Sequence, residues 1–275
     1  MTLLQAVIWL VVKPGYLMLA ESGELSRRVA AAWARMTACD LCARYCGVNR
    51  LETIKGVACR TGERAVVHGC GPHFGEEDPL RGTRGSGTIF FSWCNLRCVY
   101  CQNWDISQQG LGREADPEEI ADMMLYLQEQ GCHNVNFVSP SHVVAQIIAA
   151  VEIAAGKGLH IPLVYNTGGY DSREALAFLD GIVDIYMPDM KYGDSQKAHR
   201  LSHVRDYVVV NRTAVIEMHR QVGDLVLDQH GVAKRGLLVR HLVLPDDASD
   251  TGAVLDFLAT EVSPDTYVNV MNQYR

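Results

Sequence analysis

The chain has 275 residues, 48% of them hydrophobic, enough to enclose one main core with a small appendage. Its formal net charge of −7 and pI near 5.8 exclude a general binder of phosphate backbones, which draws its affinity from clustered Lys and Arg, so no nucleic-acid partner is expected. Nine cysteines without a secretory signal point to a reducing, cytoplasmic setting, where close Cys spacing means metal ligation more often than disulfides.

Leu3 to Val12 is an apolar run, short of the roughly 20 residues that a membrane span needs; it reads as a helix start packed on the domain, or as an interfacial anchor. Glu24 to Met36 places Leu25, Val29, Ala32 and Trp33 at helical spacing. A cysteine knot follows, Cys39-x2-Cys42-x3-Cys46-x12-Cys59. The stretch Gly69 to Gly87, rich in Gly and Pro, predicts an irregular connection, or a loop that lets backbone approach a ligand.

From Thr88 onward strand and helix patterns alternate. Strands are predicted at Thr88 to Ser92, Asn134 to Ser139, Leu163 to Asn166, Ile182 to Met187, Leu237 to Leu244 and Tyr267 to Met271. In the first crossover Asp116 caps a helix, Pro117 starts it, Ile120, Met123, Met124 and Leu127 share a face, and Gly131 stops it. Further helices are predicted near Val143 to Ala155, Ser172 to Leu179, Arg205 to Gln221 and Ser249 to Thr260, with a hairpin over Asp224 to Gly236. Repeated β-then-α units imply an α/β fold with a parallel sheet and right-handed crossovers, in which ligands sit at the carboxyl ends of strands. The expected division is 1–87 for the N-terminal helix, cysteine knot and glycine loop, and 88–275 for the repeating units.

Cys94, Cys98 and Cys101 stand as C-x3-C-x2-C in WCNLRCVYCQN (93–103), directly after the first strand. Zinc usually takes four protein ligands in paired spacing, and no fourth Cys or His follows closely. Three thiolates on one short loop suit three irons of a cubic 4Fe-4S cluster, whose fourth iron then takes a ligand from outside the protein.

This spacing, with an aromatic before the last Cys, resembles the signature of the radical S-adenosylmethionine (radical SAM) superfamily. The continuation CVYCQNWDIS is similar to its glycyl-radical-enzyme activating branch, which has Asn two residues after the last Cys, the place of Asn103. CGVNR (46–50), GSGTIFFSWCNLRC (85–98), VYNTGGY (164–170) and KRGLLVRHLVLP (234–245) are similar to the pyruvate formate-lyase activating-enzyme-like iron-sulfur proteins, a resemblance that runs from Pro14 to Arg275.

The resemblance implies a partial (β/α)6 TIM-like barrel over 88–275 with an N-terminal Cys-rich metal-binding extension. It implies a 4Fe-4S cluster on Cys94, Cys98 and Cys101, the amino and carboxylate groups of S-adenosylmethionine on the open iron, and a flavodoxin- or ferredoxin-type reductant. Cleavage to a 5′-deoxyadenosyl radical and hydrogen abstraction follow, with a glycyl radical enzyme as the implied protein substrate. A small molecule or peptide substrate and a non-catalytic iron-sulfur carrier are the alternatives.

At the second strand end the family carries Gly-Gly-Glu for the methionyl amino group, whereas this chain has FVSPSH (137–142); Ser139, Ser141 and backbone carbonyls replace it, or the serines cap the next helix. NTGG (166–169) resembles the family's Thr-Asn-Gly, so Asn166 and Thr167 reach the ribose or carboxylate, or the segment is an ordinary turn. In MPDMKY (187–192) Lys191 answers the methionyl carboxylate and Asp189 orients the site, or the two form a surface ion pair. Alternation puts one of Arg240 and His241 inward, so Arg240 is either a carboxylate or ribose contact or half of a structural ion pair.

The knot of Cys39, Cys42, Cys46 and Cys59 suits tetrahedral zinc, a second iron-sulfur cluster, or no metal, with Cys70 as a substitute for Cys59. Cys132 reads as a core thiol, and the dispersed histidines as structural or surface residues.

Overall fold

A computed structural model describes residues 13–272, so the apolar run Leu3 to Val12 lies outside the described residues. Two helices open the fold, α1 (Gly15–Glu21) and α2 (Glu24–Arg35); Leu25 and Ala32 on the apolar face of α2 are fully buried. Then come β1 (Ala65–His73), α3 (Asp78–Arg81), β2 (Ser86–Phe91), α4 (Trp104–Ser107) and β3 (Arg113–Ala115). The repeating part continues with α5 (Pro117–Glu129), β4 (Val135–Val138), α6 (Val144–Gly156), β5 (Leu163–Thr167), α7 (Arg173–Leu179) and β6 (Ile185–Pro188). It ends with α8 (Ser195–Ser202), α9 (Tyr207–Val222), β7 (Val226–Leu227), β8 (Ala233–Leu242), α10 (Thr251–Phe257) and β9 (Tyr267–Met271).

Strands β2, β4, β5, β6, β8 and β9 run parallel in that order, each reached through at least one helix, which is the topology of six βα units. The sheet curves. Arg240 on β8 bonds Asn166 on β5 at 2.7 Å, although β6 lies between them and flat neighbouring strands stand about 4.8 Å apart. Across the open side, Glu77 in the loop after β1 accepts from Asn269 on β9 at 2.8 Å, so that loop spans the gap that strand pairing leaves.

The α5 expectations hold in detail: Asp116 and Glu119 form a reciprocal capping box, Pro117 is the first residue, and Gly131 takes the left-handed φ of 80°. Ile120, Met124 and Leu127 are fully buried in the core that also holds Ile89, Val135, Phe137 and Tyr165. Tyr16, Leu25 and Met36 from the N-terminal segment join the same core.

Three expectations need correction. The glycine-rich stretch after Gly69 begins in strand: β1 pairs antiparallel with β2 on one side and β3 on the other, and these ladders fix a backbone that Gly69, Gly71 and Pro72 leave free. The fourth parallel strand begins at Ile185 rather than Ile182, because Gly181 (φ 76°) is still turning the chain out of α7. Helix α8 is not expected from the sequence; SQKAHRLS has only two apolar residues, Ala198 and Leu201, and its start is set by Asp194 accepting from the Lys197 N–H at 2.8 Å. The hairpin appears as β7 and the start of β8, and β9 has the expected bounds.

Candidate active site

Strand β2 ends where Ser92 donates to the Val66 carbonyl, and Trp93 reverses the chain with a left-handed φ of 66°. The turn aims Cys94, Cys98 and Cys101 into one cavity of about 220 Å³ at the carboxyl ends of the parallel strands. Each sulfur has its own neighbour. The Leu96 N–H reaches Cys94 Sγ at 3.4 Å, the Ser202 hydroxyl donates to Cys98 Sγ at 2.9 Å, and Ser107 Oγ lies 3.1 Å from Cys101 Sγ.

Burial pushes the Cys94 thiol up to about 12 and raises Cys98 as well, so these groups carry negative charge when a cation takes the place of the proton. Among the described residues, no three His, Cys, Asp or Glu side chains close around the single point that one metal ion would need. A cubane makes a different demand, since each thiolate binds its own iron and the sulfurs stand apart. Three thiols that share a cavity without converging fit such a cluster.

Opposite the cysteines, β5, β6 and β8 contribute Asn166, Asp189, Lys191 and Arg240 to the same cavity. Arg240 Nε donates to Asp189 Oδ1 at 2.9 Å and its Nη2 to Asn166 Oδ1 at 2.7 Å, while Lys191 Nζ donates to the other Asp189 oxygen at 2.5 Å. The Asp189 and Lys191 side chains are only 16% and 14% exposed, which rules out a solvated surface pair. Burial would lift the Asp189 carboxyl, but the Arg240 and Lys191 charges outweigh it and hold the carboxylate below its usual range. Burial would lower Lys191; Asp189 and the Cys98 sulfur reverse that and keep the ammonium charged. His241 points the other way, buried against the Met190 carbonyl (2.7 Å) and Thr251 (2.9 Å), so alternation turns Arg240 inward.

Asn103 and Ser139 also line the cavity, Ser139 with a left-handed φ of 59°. Thr167 lines it too, whereas Ser141 does not. It is buried and bonds Thr167 Oγ1 at 2.8 Å, and Thr167 in turn donates to Asp171 at 2.6 Å, so both hydroxyls hold the β5 turn together. Neither serine caps α6, whose N-cap is Val143 without a side-chain bond. In NTGG the tight approach is to protein: a Cβ on Gly169 would stand 2.2 Å from Asn211 Nδ2 and 2.3 Å from the Asp189 carbonyl.

Sequence reasoning missed several wall residues, among them Gln102, Ser107 and Met271. It also missed a hydroxyl relay, Tyr100 to Tyr192 (2.6 Å) to Ser202 (2.6 Å) to Cys98 (2.9 Å). Tyr100 was visible as the aromatic before the last Cys; Ser202 sits on the unexpected α8 and had no local signal.

A second chamber of about 500 Å³ opens from the first and shares Gln102, Asn103, Val138, Asn166, Arg240 and Met271 with it. Its far wall is His73 at the end of β1, Glu76 and Glu77 in the loop that spans the open side, and Asp78 at the start of α3. Burial pushes Glu76 up to about 7; Arg240 opposes that rise and Glu77 adds to it.

The knot cysteines Cys39, Cys42 and Cys59 are buried and Cys46 is half-buried. Cys42 and Cys59 are raised first by burial, and each also feels the charges of the other knot thiols. Arg50, buried beside them, reaches Cys39 Sγ at 3.6 Å and is tied to the carbonyls of Thr61 and His142, each at 2.8 Å. Cys70 belongs elsewhere: it lies on β1, in the field of Cys132, with its Sγ 3.8 Å from the Met123 carbonyl, and is no substitute for Cys59. Cys132 is a buried core thiol.

The chain is 32% identical over 246 residues to the "Uncharacterized protein MJ0674" of Methanocaldococcus jannaschii, an alignment that covers 86% of this chain and 66% of that protein. Among solved structures, that of TYW1 with a lysine-pyruvate adduct bound superposes with a TM-score of 0.40 at 10% identity, over 62% of this chain and 60% of that one. No helix among the described residues is long and apolar enough to cross a membrane. The profile of the radical SAM superfamily matches residues 88–229, just over half of the chain and the part that carries the cysteine loop and the walls from β4, β5 and β6. The chain therefore belongs to the radical SAM superfamily, which implies a 4Fe-4S cluster and S-adenosylmethionine.

Proposed function

We propose that the chain cleaves S-adenosylmethionine reductively and passes the radical to a substrate C–H bond. The observation that carries this reading is one cavity shared by Cys94, Cys98 and Cys101 and the strand-end residues Asn166, Asp189, Lys191 and Arg240. The cluster and S-adenosylmethionine, when bound, supply a 5′-deoxyadenosyl radical. The three cysteines would hold the cluster, with the Leu96 N–H and the Ser107 and Ser202 hydroxyls placed to stabilise charge on their sulfurs. Lys191 would answer the methionyl carboxylate, and Asp189, held by two cations, would take the ammonium group. Asn103, Asn166 and Ser139 serve the remaining polar atoms. Val138, Leu242 and Met271 form apolar wall that keeps water from a reactive carbon radical.

The finer assignment is activation of a glycyl radical enzyme with a flavodoxin- or ferredoxin-type electron donor, supported by the CQN, DMK and RHLVLP similarities. A substrate that is a small molecule or peptide is the second reading, favoured by the roomy polar chamber beside the cofactor cavity. For the knot we propose a second metal, zinc or an iron-sulfur cluster. Three buried thiols and the half-buried Cys46 lie within one another's field beside Arg50; they do not converge on one point, and a bound metal would take the place of the protons that burial holds on Cys42 and Cys59.

Anaerobically reconstituted, reduced protein is expected to form 5′-deoxyadenosine. Absence of that product in protein with full iron and sulfide content overturns the proposal. A glycyl radical signal in electron paramagnetic resonance with a partner protein supports the activase assignment; product without such a signal favours the second reading.

A further inference from the structure

We propose that the chamber beside the cofactor cavity is the substrate site and that Glu76 and Glu77 select a substrate bearing a primary ammonium group. The inference rests on the radical chemistry proposed above and names the substrate class for it. Four observations carry it.

The first is position. The chamber shares Asn103, Asn166 and Arg240 with the cofactor cavity, so an occupant would lie next to the bound cofactor, with only these side chains bordering both.

The second is unmet hydrogen bonding. The Glu76 side chain is 9% exposed and has only the Glu77 carboxyl within hydrogen-bond reach; no N–H among the described residues donates to it, and Arg240 stands 4.0 Å away. Glu77 is half met: Oε1 accepts from Asn269, whereas Oε2 is buried without a partner. His73 Nδ1 in the same wall is also buried and unpartnered, 3.8 Å from Glu76. A buried acceptor without a donor is destabilising, and a ligand with several N–H donors relieves it.

The third is charge. Asp189 engages both Lys191 and Arg240, leaving one positive charge beside Glu77 and a Glu76 carboxyl that burial pushes up to about 7 and that an incoming ammonium would ionise. The wall therefore favours one added cation. A carboxylate substrate would meet the reverse.

The fourth is rigidity. Glu77 is fixed to β9 through Asn269, and Pro79 and Leu80 of the adjoining α3 are buried, so the carboxylates are held in place before a ligand arrives. An ammonium has three donors, matching the unmet oxygens of Glu76 and Glu77.

The test is anaerobic calorimetry on the cluster-bearing enzyme with and without S-adenosylmethionine, using n-butylamine, butanoate and Nα-acetyl-lysinamide as probes. Butylamine is expected to bind, butanoate not, and the double variant Glu76→Gln, Glu77→Gln to weaken the amine by about tenfold or more, the size of one charge-assisted hydrogen bond. S-adenosylmethionine affinity should stay within about twofold, since neither residue lies in its cavity. Tighter binding of the lysinamide than of butylamine assigns the amine to a peptide, and the reverse to a small molecule; either supports the proposal. Equal binding of butanoate and butylamine overturns it, as does wild-type amine affinity in the double variant. So does a parallel loss of S-adenosylmethionine affinity, which would put the acidic pair at the cofactor. Iron content and thermal midpoint of the variant confirm that it folds. The titration needs no turnover, so its failure is separate from a failure to form 5′-deoxyadenosine.

Discussion

Arg240 and Asp189 meet across neighbouring strands with Nε 2.9 Å from Oδ1, and the same guanidinium holds Asn166 at 2.7 Å. One planar fork thus ties the ends of β5, β6 and β8 together and presets two groups proposed to contact S-adenosylmethionine. A Lys nitrogen is a single point and cannot span Asp189 and Asn166 as the two nitrogens of the planar fork do. Arg240→Ala leaves Asp189 with Lys191 alone and should cost about 3–5 kcal/mol of stability, the loss typical of breaking a buried charged pair. Arg240→Lys should fold more stably than Arg240→Ala yet bind S-adenosylmethionine about tenfold more weakly than wild type, because one of two orienting hydrogen bonds is gone. Wild-type affinity in Arg240→Lys would reduce Arg240 to a structural role.

The two cysteine groups can be separated by metal analysis. Cys98→Ala is expected to abolish the iron and sulfide of the loop cluster, because two remaining thiolates hold a cubane poorly. Cys42→Ala should leave that cluster and 5′-deoxyadenosine formation in place while removing whatever metal the knot holds, zinc or further iron. Unchanged total metal in Cys42→Ala would show that the knot is closed by thiols and Arg50 alone.

What could be read from sequence was what is encoded locally. The C-x3-C-x2-C loop, the Asp116 cap with Glu119 three residues on, and the DMK strand end each sit within a few residues, and all three lie where expected. Pairings made by the fold left no such trace. Ser202 meets Cys98 from 104 residues away, and Glu76 and Arg240 approach only because the sheet curls. Ser141 is ambiguous for the opposite reason. A serine in a strand-end loop resembles a ligand contact, but its hydroxyl is engaged with Thr167. The β1 strand was hidden by Gly69, Gly71 and Pro72, residues that signal loops unless ladders on both sides supply the order they lack.

The paired glycines of NTGG give a graded test. Gly169 has φ +73°, and a Cβ there would strike the Asn211 amide and the Asp189 carbonyl, neither of which can move without disturbing the site. At Gly168 the obstacle is Leu96 Cδ1 at 2.9 Å, the tip of a flexible side chain. Gly169→Ala should destabilise the protein by about 2 kcal/mol or more, and Gly168→Ala by less, as read from urea midpoints. Equal midpoints would mean that the turn can relax around a side chain.

Asp184, buried at the foot of β6, accepts from the backbone N–H groups of Leu163 at 2.9 Å and Gly15 at 3.2 Å, joining β5 to α1. Burial pushes its carboxyl from 3.8 up to about 6, against the pull of those two donors. The folded protein thus keeps this proton up to about pH 6, whereas the unfolded chain releases it near pH 4. Between those values the native state binds more protons, so this group's contribution to stability is full below about pH 4 and falls as pH rises, by about 3 kcal/mol in total by pH 6 and no further above it. Asp184→Asn cannot titrate and should lack that slope. Urea unfolding of the two proteins at pH 5, 5.5, 6 and 7 checks this. The wild-type curve is expected to descend relative to the variant up to about pH 6 and then run level with it, and two parallel curves would show that the carboxylate is satisfied by its two donors despite its burial.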